Sequence, residues 1–271
     1  MNDLLSPTGA PAALATADNV MPLRRQNILA VASGKGGVGK TFFSVTLAHA
    51  LARSGKRILL FDGDLGLANV DIQLGLMPKR DLGQVIDGMV TLQGAAQRFP
   101  EGGFDIIAGR SGSGSLANLP PARLTQLRTE LADVAKSYDW VVIDLGAGVD
   151  RMVRTFSGPA GTTLVVTTDE PTSITDAYAF LKLSYQANPM ADLRVVINMA
   201  DSKALGERTY EKLLTVCQRY LKMSPKLGGI VRRDAKVREA IRNQSPLFMR
   251  FPTSDAAHDI EMVANRLNQG G

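Results

Sequence analysis

Residues Val31–Ser44 read VASGKGGVGKTFFS, and the way two lysines are set among four glycines governs the reading of the whole chain. Upstream lies the apolar run NILAVAS, short enough for a buried strand; downstream, KTFFSVTLAHALARSG has the length and pattern of a helix. Between them, Gly34 to Thr41 satisfy G-x-x-x-x-G-K-[ST] in the strand–loop–helix context that the pattern requires. A polyphosphate needs backbone N–H groups converging on it, and only glycine lets the chain curl that closely without a Cβ clash. The helix beginning near Lys40 adds its positive end. Lys40 would bridge the β- and γ-phosphates and the Thr41 hydroxyl would ligate Mg²⁺. Gly34, Lys35, Gly36, Gly37, Val38, Gly39, Lys40, Thr41 and Phe42 are thus the expected ATP-binding segment.

Working outward, short β-branched runs alternate with helical patterns: KRILLFD, FDIIAG, WVVID, TTLVVTT and LRVVIN as strands, PARLTQLRTELADVAKSY and SITDAYAFLKLSYQ among the helices. Strands that are apolar throughout, each separated by a helix, predict one doubly wound α/β domain: a mostly parallel sheet with helices on both faces. In such sheets ligands collect at the carboxyl ends of the strands. The 271 residues, 45% hydrophobic, suit one large domain over residues 27–271, ending in a helix. Residues 1–26, rich in Ala, Pro and Thr, are expected to form a mobile arm. The segment RSGSGS, residues 110–115, is expected to be a flexible loop.

The net charge of +5 permits a nucleic acid or an anionic membrane as partner, but equally a solvated surface. The one cysteine, Cys217, excludes an intrachain disulfide framework or cysteine cluster and suits a reducing cytoplasm; in YEKLLTVCQRYL it is expected to be a small buried thiol. His49 and His258 lie in no motif.

Two acidic segments follow strands. In FDGDLGLANVDIQLGL, Asp62 and Asp64 are expected on the loop beyond a strand end, beside the phosphates; in WVVIDLGAGVD, Asp144 closes a strand and Gly146 and Gly148 follow. Hydrolysis needs one carboxylate to orient water and others near Mg²⁺. The glycines would let that loop rearrange when a phosphate leaves.

Lys35 answers to a different geometry. A loop wrapped around its own phosphates leaves a residue there pointing away, able to reach phosphates held by a second copy. With Lys35-Gly36-Gly37-Val38-Gly39-Lys40-Thr41, the chain resembles the deviant phosphate-loop ATPases of the MinD/ParA family. The resemblance covers nearly everything from Ile28 and implies an ATP-dependent homodimer with Lys35 contacting nucleotide across it. It further implies catalytic roles for Lys35, Lys40 and Asp64, Mg²⁺ near Thr41, Asp62 and Asp144, and an adenine contact from Asn198.

DGDLGLANVDIQLGL, IIAGRSGSGSLANL and TTDEPTSITDAYAFLK look most like the family's flagellar-number regulators, FlhG or FleN, which partner an FlhF-like GTPase. That branch often carries D-Q-A-x-x-L-R in its N-terminal arm; Asp18 to Arg24 keep the Asp, Leu and Arg but have Asn19 and Val20 between them.

A ParA-like partition ATPase binding DNA non-specifically, or a MinD-like division-site regulator, is the alternative. Arg232, Arg233, Lys236, Arg238 and Arg242 form either a phosphate-binding patch or a solvated face of a helical segment. MinD-like proteins end in a basic membrane helix, whereas this tail sets Asp255, Asp259 and Glu261 against Arg266 on its polar face. Anionic lipid would repel that face, so packing onto the domain is expected, although peripheral placement at the inner membrane or a cell pole is what a MinD-like resemblance would imply.

Overall fold

The computed structural model describes residues 25–64, 66, 68–109 and 119–269. The expected arm, including Asp18 to Arg24, and the loop 110–115 fall outside these, apart from Arg25 and Gln26, which open the first strand.

Eight strands form one sheet: β1 (Arg25–Ser33), β2 (Ile58–Gly63), β3 (Gln97–Phe99), β4 (Phe104–Ile107), β5 (Trp140–Ala147), β6 (Ala160–Thr167), β7 (Leu193–Ala200) and β8 (Lys226–Arg232). Their order is β3-β4-β2-β5-β1-β6-β7-β8, with every neighbouring pair parallel except antiparallel β3 and β4. Alternate residues along each strand feed opposite faces. From β1, Leu29 and Val31 enter one apolar layer while Ile28, Ala30 and Ala32 enter the other.

On the Leu29 face lie α1 (Lys40–Arg53), α2 (Val70–Leu74), α9 (Ala235–Arg242), α10 (Leu247–Arg250) and α11 (Asp255–Gln269). The opposite face carries α3 (Leu82–Ile86), α4 (Leu92–Ala95), α5 (Pro121–Val134), α6 (Arg151–Ser157), α7 (Pro171–Ala187) and α8 (Lys203–Leu221). The doubly wound sheet expected from the sequence is therefore what the chain forms. Local signals set the helix starts. Pro121 and Pro171 occupy first-turn positions, and Asp150 and Ser202 cap α6 and α8 through backbone N–H groups of Val153 and Leu205.

Two strands were not legible. β3 has three residues, and β8, KLGGIVR, had been joined to the helical segment behind it; its glycines break the apolar run that marks the other strands. Cys217 is fully buried on α8.

The terminal helix packs against α1 and β8 with Ala256, Ile260, Val263 and Leu267 buried. One residue of its expected polar face is misplaced by the sequence reading: Asp259 is 1% exposed. It accepts from Arg232 Nε and a second guanidinium nitrogen, both at 2.9 Å, and pairs with Lys203 Nζ at 2.7 Å. These contacts hold its carboxyl below the usual range against the opposing effect of burial. Such a carboxylate clamps the helix to the sheet and is withdrawn from any surface. No helix among the described residues is long and apolar enough to cross a membrane.

His49 on α1 lies edge-on to Phe248, ring centroids 5.4 Å apart, and its buried Nδ1 has no hydrogen-bond partner among the described residues. Burial first, and the Arg53 charge second, depress its pKa from 6.5 to about 4. The unfolded chain accepts a proton that the folded chain refuses, so this stability is complete above about pH 6.5 and lost as pH falls toward about 4. The shift corresponds to roughly 3 kcal/mol. Urea unfolding across that window should show a steep loss in the wild type and a shallower one in His49→Met; equal slopes would exclude His49 as the source.

Candidate functional site

At the carboxyl ends of β1, β2 and β5 the chain leaves a cleft of about 710 Å³. Its wall includes the glycine loop from Lys35 to Phe42, with Asp64, Gly146, Ala147 and Arg151. The loop's shape depends on two glycines for different reasons. Gly39 sits at φ +81°, and a Cβ there would meet Asn198 Nδ2 at 2.5 Å. Gly34 has an ordinary φ, but its Cβ would lie 2.2 Å from the Asp176 carbonyl oxygen, so only glycine lets β1 pass so close to α7. By contrast, nothing lies within 4 Å of a Cβ built on Gly36 or Gly37, which border open space.

Lys40 opens α1 and is buried. Its Nζ donates to Asp144 Oδ1 at 3.0 Å, and Ser44, one turn along α1, donates its hydroxyl to the same oxygen at 2.9 Å. α1 has no side-chain cap at its start, where Gly39 provides a left-handed turn. A buried cation, a helix start without a side-chain cap and a curled glycine loop together make an anion site.

The carboxylates are placed more deeply than expected. Asp62 is within β2, not on the loop beyond it, and lies opposite Asp144 of β5 in the sheet register. It is fully buried and accepts from the backbone N–H groups of Asp64 and Val70, both at 3.2 Å. Burial, then Asp144, then Asp64 raise its pKa to about 7 despite those two hydrogen bonds. Asp64 follows the strand and lines the cleft; a Cβ on Gly146 would sit 3.5 Å from its carboxyl carbon. β5 runs to Ala147, so Gly146 is strand residue rather than loop. Gly148 is at φ +99° and its N–H donates to the Ser33 carbonyl at 2.8 Å, tying this segment to the base of the glycine loop.

The donors suit a small hard cation. No group of three or more His, Cys, Asp or Glu that could hold a metal is present among the described residues. Thr41 lines the cleft while Asp62 and Asp144 lie buried on adjoining strands, a sparse oxygen set of the kind with which Mg²⁺ keeps much of its water and binds phosphates.

Lys35 lines the cleft, but its ammonium is already engaged. Its Nζ donates to Glu170 Oε2 and Thr172 Oγ1, each at 2.9 Å, where β6 passes into α7. Both charges of this pair are substantially exposed, 38% and 63%, so the contact is worth at most about 1 kcal/mol. Asn198, 3% exposed, donates Nδ2 to the Val38 carbonyl at 2.7 Å and so braces the loop from behind.

Ser44, Glu170 and Thr172 escaped the sequence reading. Ser44 was detectable only as a hydroxyl in the apolar run FFSVTLA; its partner lies 100 residues away. The basic segment also reads differently in three dimensions. Arg232 belongs to β8 and is engaged by Asp255 and Asp259, Arg233 pairs with Asp201, and Lys236 pairs with Glu239. Much of the expected phosphate-binding patch is neutralised by its own neighbours.

Strand, glycine loop, helix and two strand-borne carboxylates define a phosphate-loop nucleotide-binding protein. Residues 29–247 match the CobQ/CobB/MinD/ParA nucleotide-binding-domain family, and the chain belongs to it. It is 41% identical over 241 residues to the antiactivator FleN of Pseudomonas aeruginosa, covering 89% of this chain and 86% of that protein. The flagellum site-determining protein YlxH of Helicobacter pylori is 29% identical over 88% of this chain and 81% of its own length. Among solved structures, the septum site-determining protein MinD of Pyrococcus horikoshii, complexed with Mg-ADP, superposes with a TM-score of 0.75. At 22% identity, covering 90% of this chain and 96% of that one, it shows the shared fold.

The glycine contacts give a direct test. Gly39→Ala places a side chain at positive φ, costing about 1–2 kcal/mol before the clash with Asn198, and for a domain of this size each kcal/mol lowers Tm by about 2–4 °C. Gly34→Ala and Gly39→Ala should each melt several degrees lower, while Gly36→Ala stays near the wild type. Equal melting of the three would mean that the loop is not constrained as described.

Proposed function

We propose that this chain is an ATP-hydrolysing molecular switch that dimerises with ATP and regulates flagellar number or placement. The observation that carries the switch is the position of Lys35. It lines the cleft, yet its ammonium is engaged by an exposed contact to Glu170 and Thr172 rather than by its own loop. A loop complete without that cation leaves it for a second protomer's nucleotide. The likeness to the antiactivator FleN and to the flagellum site-determining protein YlxH supports the flagellar process.

In this mechanism Gly34 to Thr41 wrap the phosphates, and Lys40 turns from Asp144 toward the β- and γ-phosphates. Phe42, which lines the cleft at the start of α1, would add an apolar contact to the bound nucleotide. Thr41, Asp62 and Asp144 would hold Mg²⁺, which when bound neutralises phosphate charge. Asp62 would give up its proton to do so, as a neighbouring cation favours the ionised form. Asp64 orients the attacking water, and Asn198 stands behind the loop where an adenine amino group could meet its amide oxygen. Gly146 and Gly148 let the strand end rearrange when the third phosphate leaves. Turnover is slow and raised by a partner, since the product is a change of partners.

The arm, residues 1–26, is assigned to partner contact, with an FlhF-like GTPase as the candidate, and the chain to the cytoplasm. The neutralised basic segment and the buried Asp259 argue against DNA retention and a membrane helix as the main outputs.

Sizing the full chain with a non-hydrolysable ATP analogue and Mg²⁺ tests the switch. The wild type should elute as a dimer, Lys35→Ala should bind the analogue yet remain monomeric, and Lys40→Ala should bind none. Identical behaviour of the two variants would refute this division of labour. The flagellar process is tested separately by counting flagella in cells of the source organism lacking the gene; an unchanged number would point to partition or division instead.

A further inference from the structure

The charged residues of the cleft differ in how far they are already engaged, and that difference singles out a residue with no role so far. Among the described residues three cations line it: Lys35, Lys40 and Arg151. Lys35 is engaged by Glu170 and Thr172, and Lys40 by Asp144. Arg151, on the first turn of α6, makes no ion pair or side-chain hydrogen bond among the described residues. The carboxylate just before it does not neutralise it, because Asp150 is turned back to accept from Val153 N–H at 2.9 Å.

We propose that Arg151 binds the terminal phosphate of a nucleoside triphosphate in this cleft and so couples the segment behind Gly146 to the presence of that phosphate. The inference rests on the nucleotide reading above and adds to it a second contact, distinct from the lysines of the loop. Position supports it. Gly148 N–H is bonded to the Ser33 carbonyl, so the chain entering α6 starts from the base of the glycine loop. Val153 and Phe156 are buried anchors that fix how α6 lies on the sheet. The backbone of Arg151 is thereby held at the cleft wall while its guanidinium stays uncommitted.

Chemistry supports it as well. A guanidinium offers a planar fork of donors that matches two phosphate oxygens at once, and it stays charged at any working pH. A triphosphate differs from a diphosphate by the one group that such a residue would reach. Arg151 follows Gly148, at φ +99°, by three residues, so a pull on its side chain acts on the segment tied to the base of the glycine loop.

The test is calorimetric titration of the full chain with Mg²⁺ and either ADP or a non-hydrolysable ATP analogue, for wild type, Arg151→Ala and Arg151→Lys. Losing a charge-assisted contact should weaken the triphosphate analogue about tenfold or more. ADP affinity should stay within roughly twofold, and lysine should restore part of the loss, since it keeps the charge without the fork. Hydrogen exchange over residues 146–150 should slow with the analogue in the wild type but not in Arg151→Ala. Melting without nucleotide should be the same in all three proteins, because the guanidinium makes no ion pair or hydrogen bond among the described residues. Equal losses for both nucleotides, or none, would overturn the role of Arg151 while leaving the nucleotide site standing. A wild type that binds neither nucleotide would remove both.

Discussion

The buried contact between Lys40 and Asp144 holds the site together. It joins the first residue of α1 to a residue within β5, with Ser44 donating to the same carboxylate oxygen. A charge pair this deep gains little net stability, but removing one partner strands the other without water, typically at 3–5 kcal/mol. The glycine loop is suspended between β1 and this anchor. Strand pairing separately sets Asp62 opposite Asp144. An arriving anion can take over Lys40, since it supplies the negative charge that Asp144 provides in its absence.

The two lysines of one short loop therefore live under different physics. Lys40 is fixed by desolvation, and it can be exchanged between anions but not released to water. Lys35 is exposed, held by a contact that solvent screens, and free to leave at small cost. A buried, paired cation and an exposed, weakly held one thus stand five residues apart in a single loop. The same contrast recurs between Arg232, locked against Asp255 and Asp259, and Arg151, which has no ion pair among the described residues.

How far the sequence could be read depended on whether each signal was local. The glycine loop, its strand and its helix were legible because positive φ, close backbone approach and helix initiation are properties of consecutive residues. Asp144 was legible because an Asp that ends an apolar strand sits where ligands collect. Asp62 was found but set on a loop, since nothing local shows that β2 runs on to Gly63. β8 was taken into a helical segment because Gly228 and Gly229 interrupt the apolar pattern; there a Cβ on Gly229 would meet Val263 of α11 at 2.4 Å. The terminal helix was correctly expected to pack on the domain, yet Asp259 was assigned to its water-facing side because Arg232 and Lys203 approach it from other elements.

Sequence by itself determined the class of fold and the strand, glycine loop and helix that carry both lysines, because each is written in short-range pattern and residue chemistry. Tertiary structure decided which charges are spent and which are available: Glu170 and Thr172 receiving Lys35, Ser44 reaching Asp144, Asp259 silencing Arg232, and Arg151 left facing the cleft. Those outcomes depend on side chains that are distant in the chain and become neighbours only when the strands cross over. A charge's partners, and hence its energy, are properties of the space around it and not of its position in the chain.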